Sequence, residues 1–266
     1  MHKVTKKGIT YFYYPPWEKS GQVRHGFSSR LGGISEGPFA ELNLGYKGGD
    51  KPAAVSENRR RFLDLWGKEE RDLVHGEQVH GTNIALVGAK RTAAVIPETD
   101  GLITADPGTV IGAFSADCLL TYLWDAEVPA IGLVHAGWRG TLGGILFQAV
   151  EAMRERLTAR PGRLQALLAP SIGPCCYEVG SDVIGVARSS AWRDQVVFYP
   201  SIRKDHAFLD LRSTNRNILL AAGLQAGSIN MSTLCTRCNS RLFYSYRQSG
   251  GKVTGSQMGL FFLMAR

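Results

Sequence analysis

Three residues of this chain pair metal-ligating or nucleophilic chemistry with a place at the end of an apolar stretch. His80 lies in His-Gly-Glu-Gln-Val-His-Gly (75–81), just after a strand-like segment. Cys118 closes Val-Ile-Gly-Ala-Phe-Ser-Ala-Asp-Cys, and His135 follows Ala-Ile-Gly-Leu-Val and opens His-Ala-Gly-Trp-Arg-Gly. Active sites of α/β proteins gather at strand ends, where loops converge on a rigid sheet. Two imidazoles and a thiolate with an open fourth position would make a catalytic zinc set, able to activate water or polarise a substrate. The same side chains also read as a nucleophilic pair, with Cys118 attacking and His135 as its base. A third reading is structural, with Cys118 a small buried residue and the histidines satisfied near the core. The three positions are 38 and 17 residues apart, which no local ligand rule covers, so spacing leaves all three readings open.

Neighbouring residues add candidate roles. Asp117 could orient a ligand or move protons, or it could cap a turn. Trp138-Arg139-Gly140 opens a predicted helix, where backbone N–H groups and the Arg139 guanidinium could hold an anion, unless the arginine packs on Trp138. Tyr244-Ser245-Tyr246-Arg247 reads as a strand with one polar face, and Arg247 as an anion clamp or a surface residue. Cys235-Thr-Arg-Cys238 is a single CxxC, weak evidence for zinc on its own. Cys175-Cys176 could complete a four-thiol set, but adjacent cysteines make a poor chelate pair, so these four read as structural or incidental thiols.

The elements that must position these residues alternate along the chain. Strands are expected at 9–14, 22–28, 71–75, 83–87, 101–104, 110–115, 130–134 and 164–169, then near 195–199, 228–234, 242–247 and 257–264. Those at 110–115, 130–134 and 164–169 are continuous apolar runs, as suits strands buried on both faces. Helices are expected at 52–66, 141–157, 181–191 and 209–223. The Gly-rich stretch 28–50 reads as a long functional loop. Mixed alternation of this kind predicts an α/β or α+β layered fold.

Composition fits such a protein. The 266 residues are 44% hydrophobic and 20% charged, enough for a core without disulfides or structural metals. We expect a single domain over 1–266, because no Pro/Ser-rich linker or repeat divides it. Glycine, 31 residues or about 12%, exceeds the usual ~7% and marks tight turns or close backbone approach. The net charge of +8 comes from scattered basic residues, which read first as a solvated surface and next as a draw for an anionic substrate, and do not call for nucleic acid. No apolar run is long enough to span a membrane, and the basic N-terminus lacks the apolar segment of a secretory signal. Five cysteines, two of them adjacent, point to a reducing cytoplasm.

In order along the chain stand Ser-Ser-Arg-Leu-Gly-Gly-Ile-Ser, Asn-Leu-Gly, Gln-Val-His-Gly and Asp-Gly-Leu-Ile-Thr. Ala-Asp-Cys, His-Ala-Gly-Trp-Arg-Gly, Pro-Ser-Ile-Gly-Pro-Cys-Cys-Tyr-Glu-Val-Gly and Phe-Tyr-Ser-Tyr-Arg follow. From about residue 25 to 264 this set resembles the YfiH-like family. That family was long labelled multi-copper polyphenol oxidoreductases, or the laccase domain. It is better described as zinc-dependent purine nucleoside phosphorylases with adenosine deaminase activity. The resemblance implies a single-domain layered αββα fold, shared with Cys–His deamidating toxins. It implies one zinc on His80, Cys118 and His135, with Asp117 beside it. It also implies activity on adenosine, inosine, guanosine and methylthioadenosine, with purine nucleosides and phosphate as partners. Separately, a monomer is expected. Arg30, Asn43, Arg139 and Arg247 stand at motif positions near the pocket. Gln248 stands where the family often has a second arginine, which weakens any two-arginine clamp there. Copper fits less well, because the six histidines form no His-x-His pair. Two other functions remain open on these residues: a peptidoglycan-precursor editing hydrolase using the same Cys–His site, and a non-catalytic zinc-stabilised binding protein.

Overall fold

The computed structural model describes residues 1–88 and 94–265. Its first sheet runs in the order β1 (His2–Lys6), β2 (Ile9–Tyr13), β3 (Val23–Ser28), β16 (Gln257–Leu263), β8 (Val110–Ser115), β4 (Leu73–Gly76), β6 (Val95–Ile96). The second runs β15 (Ile229–Met231), β11 (Gln165–Leu168), β9 (Leu119–Asp125), β10 (Ala130–Ala136), β7 (Gly101–Thr104), β5 (Ile84–Leu86). A small third sheet joins β12 (Glu178–Val179), β14 (Ala207–Leu209) and β13 (Phe198–Pro200). The helices are α1 (Pro15–Lys19), α2 (Pro52–Leu63), α3 (Trp138–Leu142), α4 (Ile145–Leu157), α5 (Ser181–Ser189) and α6 (Leu211–Ala221).

The two large sheets pack face to face, and the period-two alternation of each strand sorts its side chains between layers. On β16, Phe261 and Leu263 enter the core between the sheets with Phe27, Ile111, Tyr122 and Leu133. Met258, Leu260 and Phe262 turn the other way, onto Phe62 and Leu63 of α2. On β10, Ile131 and Leu133 face the first sheet, while Ala130, Val134 and Ala136 pack under Val150 and Met153 of α4 and Leu219 of α6. The layers therefore run helix, sheet, sheet, helix, as the layered αββα expectation required. Two helix starts follow local chemistry. Pro52 occupies the first turn of α2, where its missing N–H costs nothing. Asp210 caps α6, accepting from the N–H groups of Arg212 and Ser213.

Several expectations need correction. The helix expected over 141–157 is two helices, because Gly144 adopts φ +78° between α3 and α4. The strand expected at 242–247 is absent and the segment is a run of turns. Its backbone groups are used elsewhere: Tyr244 O accepts from Gln257 Nε2, and Arg247 N–H donates to Asp117 Oδ2. The strand expected at 228–234 shrinks to Ile229–Met231. Not foreseen were β1, α1, the central strand β9 and the short strands β6, β12 and β14. The β9 stretch begins directly at Leu119, so the apolar run after Cys118 is itself a strand buried on both faces.

Candidate active site

The chain crosses from the first sheet to the second between β4 and β5, between β6 and β7 and between β8 and β9, and the first and last of these crossings each carry one candidate ligand. Residues 77–83 lead from β4 to β5 and carry His80; residues 116–118 lead from β8 to β9 and carry Cys118. His135 comes from β10, two residues beyond Leu133 on the face turned toward the first sheet. It lies within the strand and not after it as expected. One donor atom from each of the three lies within 4.8 Å of the other two. The two imidazole rings meet edge to face at 4.9 Å. Gly137 makes room for them: a Cβ there would sit 2.9 Å from His80 Cδ2 and 3.1 Å from Cys118 Sγ.

Asp100 holds two of the three in place, a role the sequence reading did not assign. Its Oδ1 accepts from His80 N–H at 3.0 Å and faces His135 Nδ1 at 2.8 Å. Its Oδ2 accepts from the N–H groups of Val79 and Gly81 at 3.0 and 2.8 Å. That carboxylate over-determines the turn that keeps His80 at φ +62°, uncommon for a residue with a Cβ. Burial works against the charge of Asp100, but the His135 hydrogen bond and the Gly81 and Val79 N–H groups outweigh it and hold its pKa low. With Nδ1 engaged, His135 has Nε2 left to ligate, the usual carboxylate–histidine–metal arrangement. The only sequence signal for Asp100 was its place before the strand in Asp-Gly-Leu-Ile-Thr.

Charge in the site is coupled. Burial alone would raise the Cys118 thiol, but the charge on His135 and hydrogen bonds from His135 and His80 lower it to about 6. Burial would lower His135, yet Cys118 and Asp100 push it up to about 9. Without a metal the pair is therefore a thiolate beside an imidazolium near neutral pH. The donor set, two imidazole nitrogens and one readily ionised sulfur, suits a borderline ion such as zinc.

The three donors open into a cavity of about 1020 Å³. Arg139 and Arg247 line it, together with Lys47, Lys252, Tyr177 and Tyr246. Arg139 lies over the Trp138 ring at 4.2 Å. Arg247 donates to Glu178 O and lies 5.1 Å from the Tyr177 ring centre. Asp117 also lines the cavity, but its carboxylate is engaged. It accepts from Thr236 Oγ1, Ser245 Oγ and Arg247 N–H at 2.6, 2.9 and 2.7 Å, which ties the 232–247 loop to the crossing beside Cys118. Arg30 and Asn43 do not reach the cavity. Arg30 donates to Ala40 O and Ser240 O, and Asn43 bonds Gly45 and Asp50, so both shape the 28–50 loop.

Fold and site together define a layered α/β protein with a His–Cys–His centre where its two sheets exchange strands. The profile of the family described as multi-copper polyphenol oxidoreductase laccase matches residues 24–264, and the chain belongs to that family. It is 36% identical over 240 residues to the purine nucleoside phosphorylase YlmD of Geobacillus stearothermophilus, covering 88% of this chain and 87% of that protein. It is 34% identical to the adenosine deaminase RL5 of an unknown prokaryotic organism, covering 87% and 91% of the two chains. The crystal structure of the hypothetical protein YfiH of Bacillus licheniformis superposes with a TM-score of 0.88 at 32% identity, covering 97% of each chain.

Proposed function

We propose that the chain is one catalytic unit: a zinc-dependent purine nucleoside phosphorylase that also deaminates adenosine, with His80, Cys118 and His135 as its metal ligands. Adenosine, inosine, guanosine and methylthioadenosine are its nucleoside substrates, and the reducing cytoplasm, where free thiols persist, is its compartment. The observation that carries this reading is the convergence of three donor atoms within 4.8 Å at a cavity large enough for a nucleoside and phosphate. The names of the similar proteins support the reaction class.

Zinc is favoured over copper by the donors present. His25 is enclosed between the sheets and His206 bonds Lys204 O, so neither joins His80 and His135. His75 lines the cavity outside the donor group. Among the described residues no further histidine cluster offers a second copper site. A zinc ion held there would supply Lewis acidity to a bound oxygen.

The chain's own residues supply the rest. In phosphorolysis a phosphate oxygen bonds to the anomeric carbon while the bond from that carbon to the base nitrogen breaks, and the base leaves with a proton. Arg139 and Arg247, neither ion-paired to a carboxylate among the described residues, hold the phosphate. Trp138, Tyr177 and Tyr246 offer apolar surface to the purine and exclude water. Asp117 acts as a positioning residue, because three hydrogen bonds already occupy its carboxylate.

The test is to load the purified protein with zinc and incubate it with adenosine, with and without phosphate. Adenine and ribose 1-phosphate are expected only with phosphate, inosine in either case, and neither product from Cys118→Ala. No turnover despite stoichiometric zinc would sink the purine reading and redirect the search to peptidoglycan precursors.

A further inference from the structure

The four thiols set aside in the sequence reading meet in space. The Sγ atoms of Cys175, Cys176, Cys235 and Cys238 all lie within 4.8 Å of one another. Cys238 Sγ is 3.5 Å from Cys175 Sγ and 3.4 Å from Cys176 Sγ. A disulfide needs about 2.05 Å, so none is formed. Four sulfurs at ~2.3 Å from a shared zinc stand ~3.8 Å apart along the edges of the tetrahedron, within the range seen.

Adjacent cysteines make a poor chelate pair where the backbone is extended, because neighbouring side chains then diverge. Here the backbone is not extended. Cys176 N–H and Tyr177 N–H both donate to Gly173 O, at 2.9 and 3.0 Å, folding 173–177 into a turn that turns both thiols the same way. The CxxC is folded likewise, with Asn239 N–H donating to Cys235 O at 3.0 Å. Gly173 N–H donates to Cys235 Sγ at 3.2 Å, a bond that favours thiolate over thiol. Gly173 keeps this approach close: a Cβ there would lie 3.3 Å from Cys175 Sγ and 2.9 Å from Arg212 Nη2. Cys175 and Cys238 are exposed, which leaves an ion a path in.

We infer that Cys175, Cys176, Cys235 and Cys238 form a second, structural metal site for one thiophilic divalent ion of the zinc class. This site is closed by four protein ligands, unlike the three-donor centre, and is not catalytic. The ion joins the 171–178 loop to the 232–247 loop. These loops are already zipped by the Ser171–Cys235 bridge, and they carry Ile172, Tyr177, Tyr246 and Arg247 on the cavity wall. Its function is to brace that wall. The inference does not rest on the purine reading.

The experiment counts metal in full-length protein, stripped with a chelator under reducing conditions and reloaded with zinc or cobalt(II). Cys118→Ala is expected to keep one equivalent, and its cobalt form to show thiolate-to-metal charge-transfer absorption. Cys235→Ser/Cys238→Ser is expected to lose that equivalent. Should this double variant fail to fold, Cys175→Ser changes an exposed side chain and removes one ligand. Losing even an outer-shell partner costs about 10–100-fold in affinity, so Cys175→Ser should weaken zinc at least ~10-fold in chelator competition. Folded Cys118→Ala protein without stoichiometric metal, unchanged affinity in Cys175→Ser, or a disulfide within the cluster under these reducing conditions would each overturn the site.

Discussion

At the scale of single residues, the site depends on one carboxylate serving four donors. Asp100 accepts from three backbone N–H groups and faces His135 Nδ1, two contacts on each oxygen. An amide at this position has one oxygen and turns an NH2 toward two of those donors. Asp100→Asn is expected to lower stability by about 1–3 kcal/mol and weaken zinc 10–100-fold. Thermal melting and chelator competition read the two effects, and unchanged zinc affinity would argue against the positioning role. Cys118 yields a second prediction. In metal-free protein its alkylation should rise with pH to a plateau with a midpoint near 6, because only the thiolate reacts. In His135→Ala the midpoint should move up, since the charge that stabilises the thiolate is gone. An ordinary midpoint near ~8.5 in the wild type would show that the His–Cys contact does not form in solution.

At the scale of elements, the break between α3 and α4 shows why a hydrophobic pattern alone misread that region. Apolar residues recur at helical spacing through 141–157, yet Gly144 sits at φ +78° with Trp192 packed where a Cβ would go, 2.1 Å from Nε1. Gly144→Ala therefore meets both left-handed backbone and a ring in close contact. It should cost about 2–4 kcal/mol, seen as a lowered midpoint in urea. A neutral effect would mean that Trp192 moves freely. The break also frees α3 to lie at the cavity, where Trp138 and Arg139 line the wall. The missing strand at 242–247 has the same kind of cause. Aromatic and β-branched composition favours a strand only where a neighbouring strand offers a ladder. Here Asp117 and Gln257 take the backbone groups instead.

At the scale of the whole molecule, the two sheets close over an imidazole. His25 lies fully buried in the core between them, ringed by Trp17, Tyr122 and Phe261. Its Nε2 accepts from Tyr14 N–H at 2.8 Å. Burial, with a smaller push from Arg24, lowers its pKa from 6.5 to about 3. The folded state thus holds His25 neutral while the unfolded chain protonates it below about 6.5. Unfolded protein binds the extra proton between these values, so stability falls as pH drops from 6.5 toward 3. The loss is on the order of 3–5 kcal/mol across that window. His25→Gln, which keeps an acceptor for Tyr14 N–H, should flatten the fall in melting temperature between pH 7 and 4. An equally steep fall in that variant would assign acid lability to other groups.

Much of this protein was legible one residue at a time. The apolar runs at 110–115, 130–134 and 164–169 marked buried strands, because burial on both faces leaves no polar positions. His80, Cys118 and His135 stood out because metal-ligating side chains beside glycine turns at strand ends are chemically conspicuous. Local chemistry could go no further than types and spacing. That His80, Cys118 and His135 meet was decided by two crossings between stacked sheets, a contact between residues 38 and 17 positions apart. Sequence kept Arg30, Asn43, Arg139 and Arg247 as equals, and tertiary packing sent two to a loop and two to the cavity. Asp100 and the four clustered thiols were hidden for the same reason. A carboxylate's partners, or the direction of adjacent cysteines, depend on turns whose backbone is set by hydrogen bonds to distant segments, and those exist only once the chain has folded.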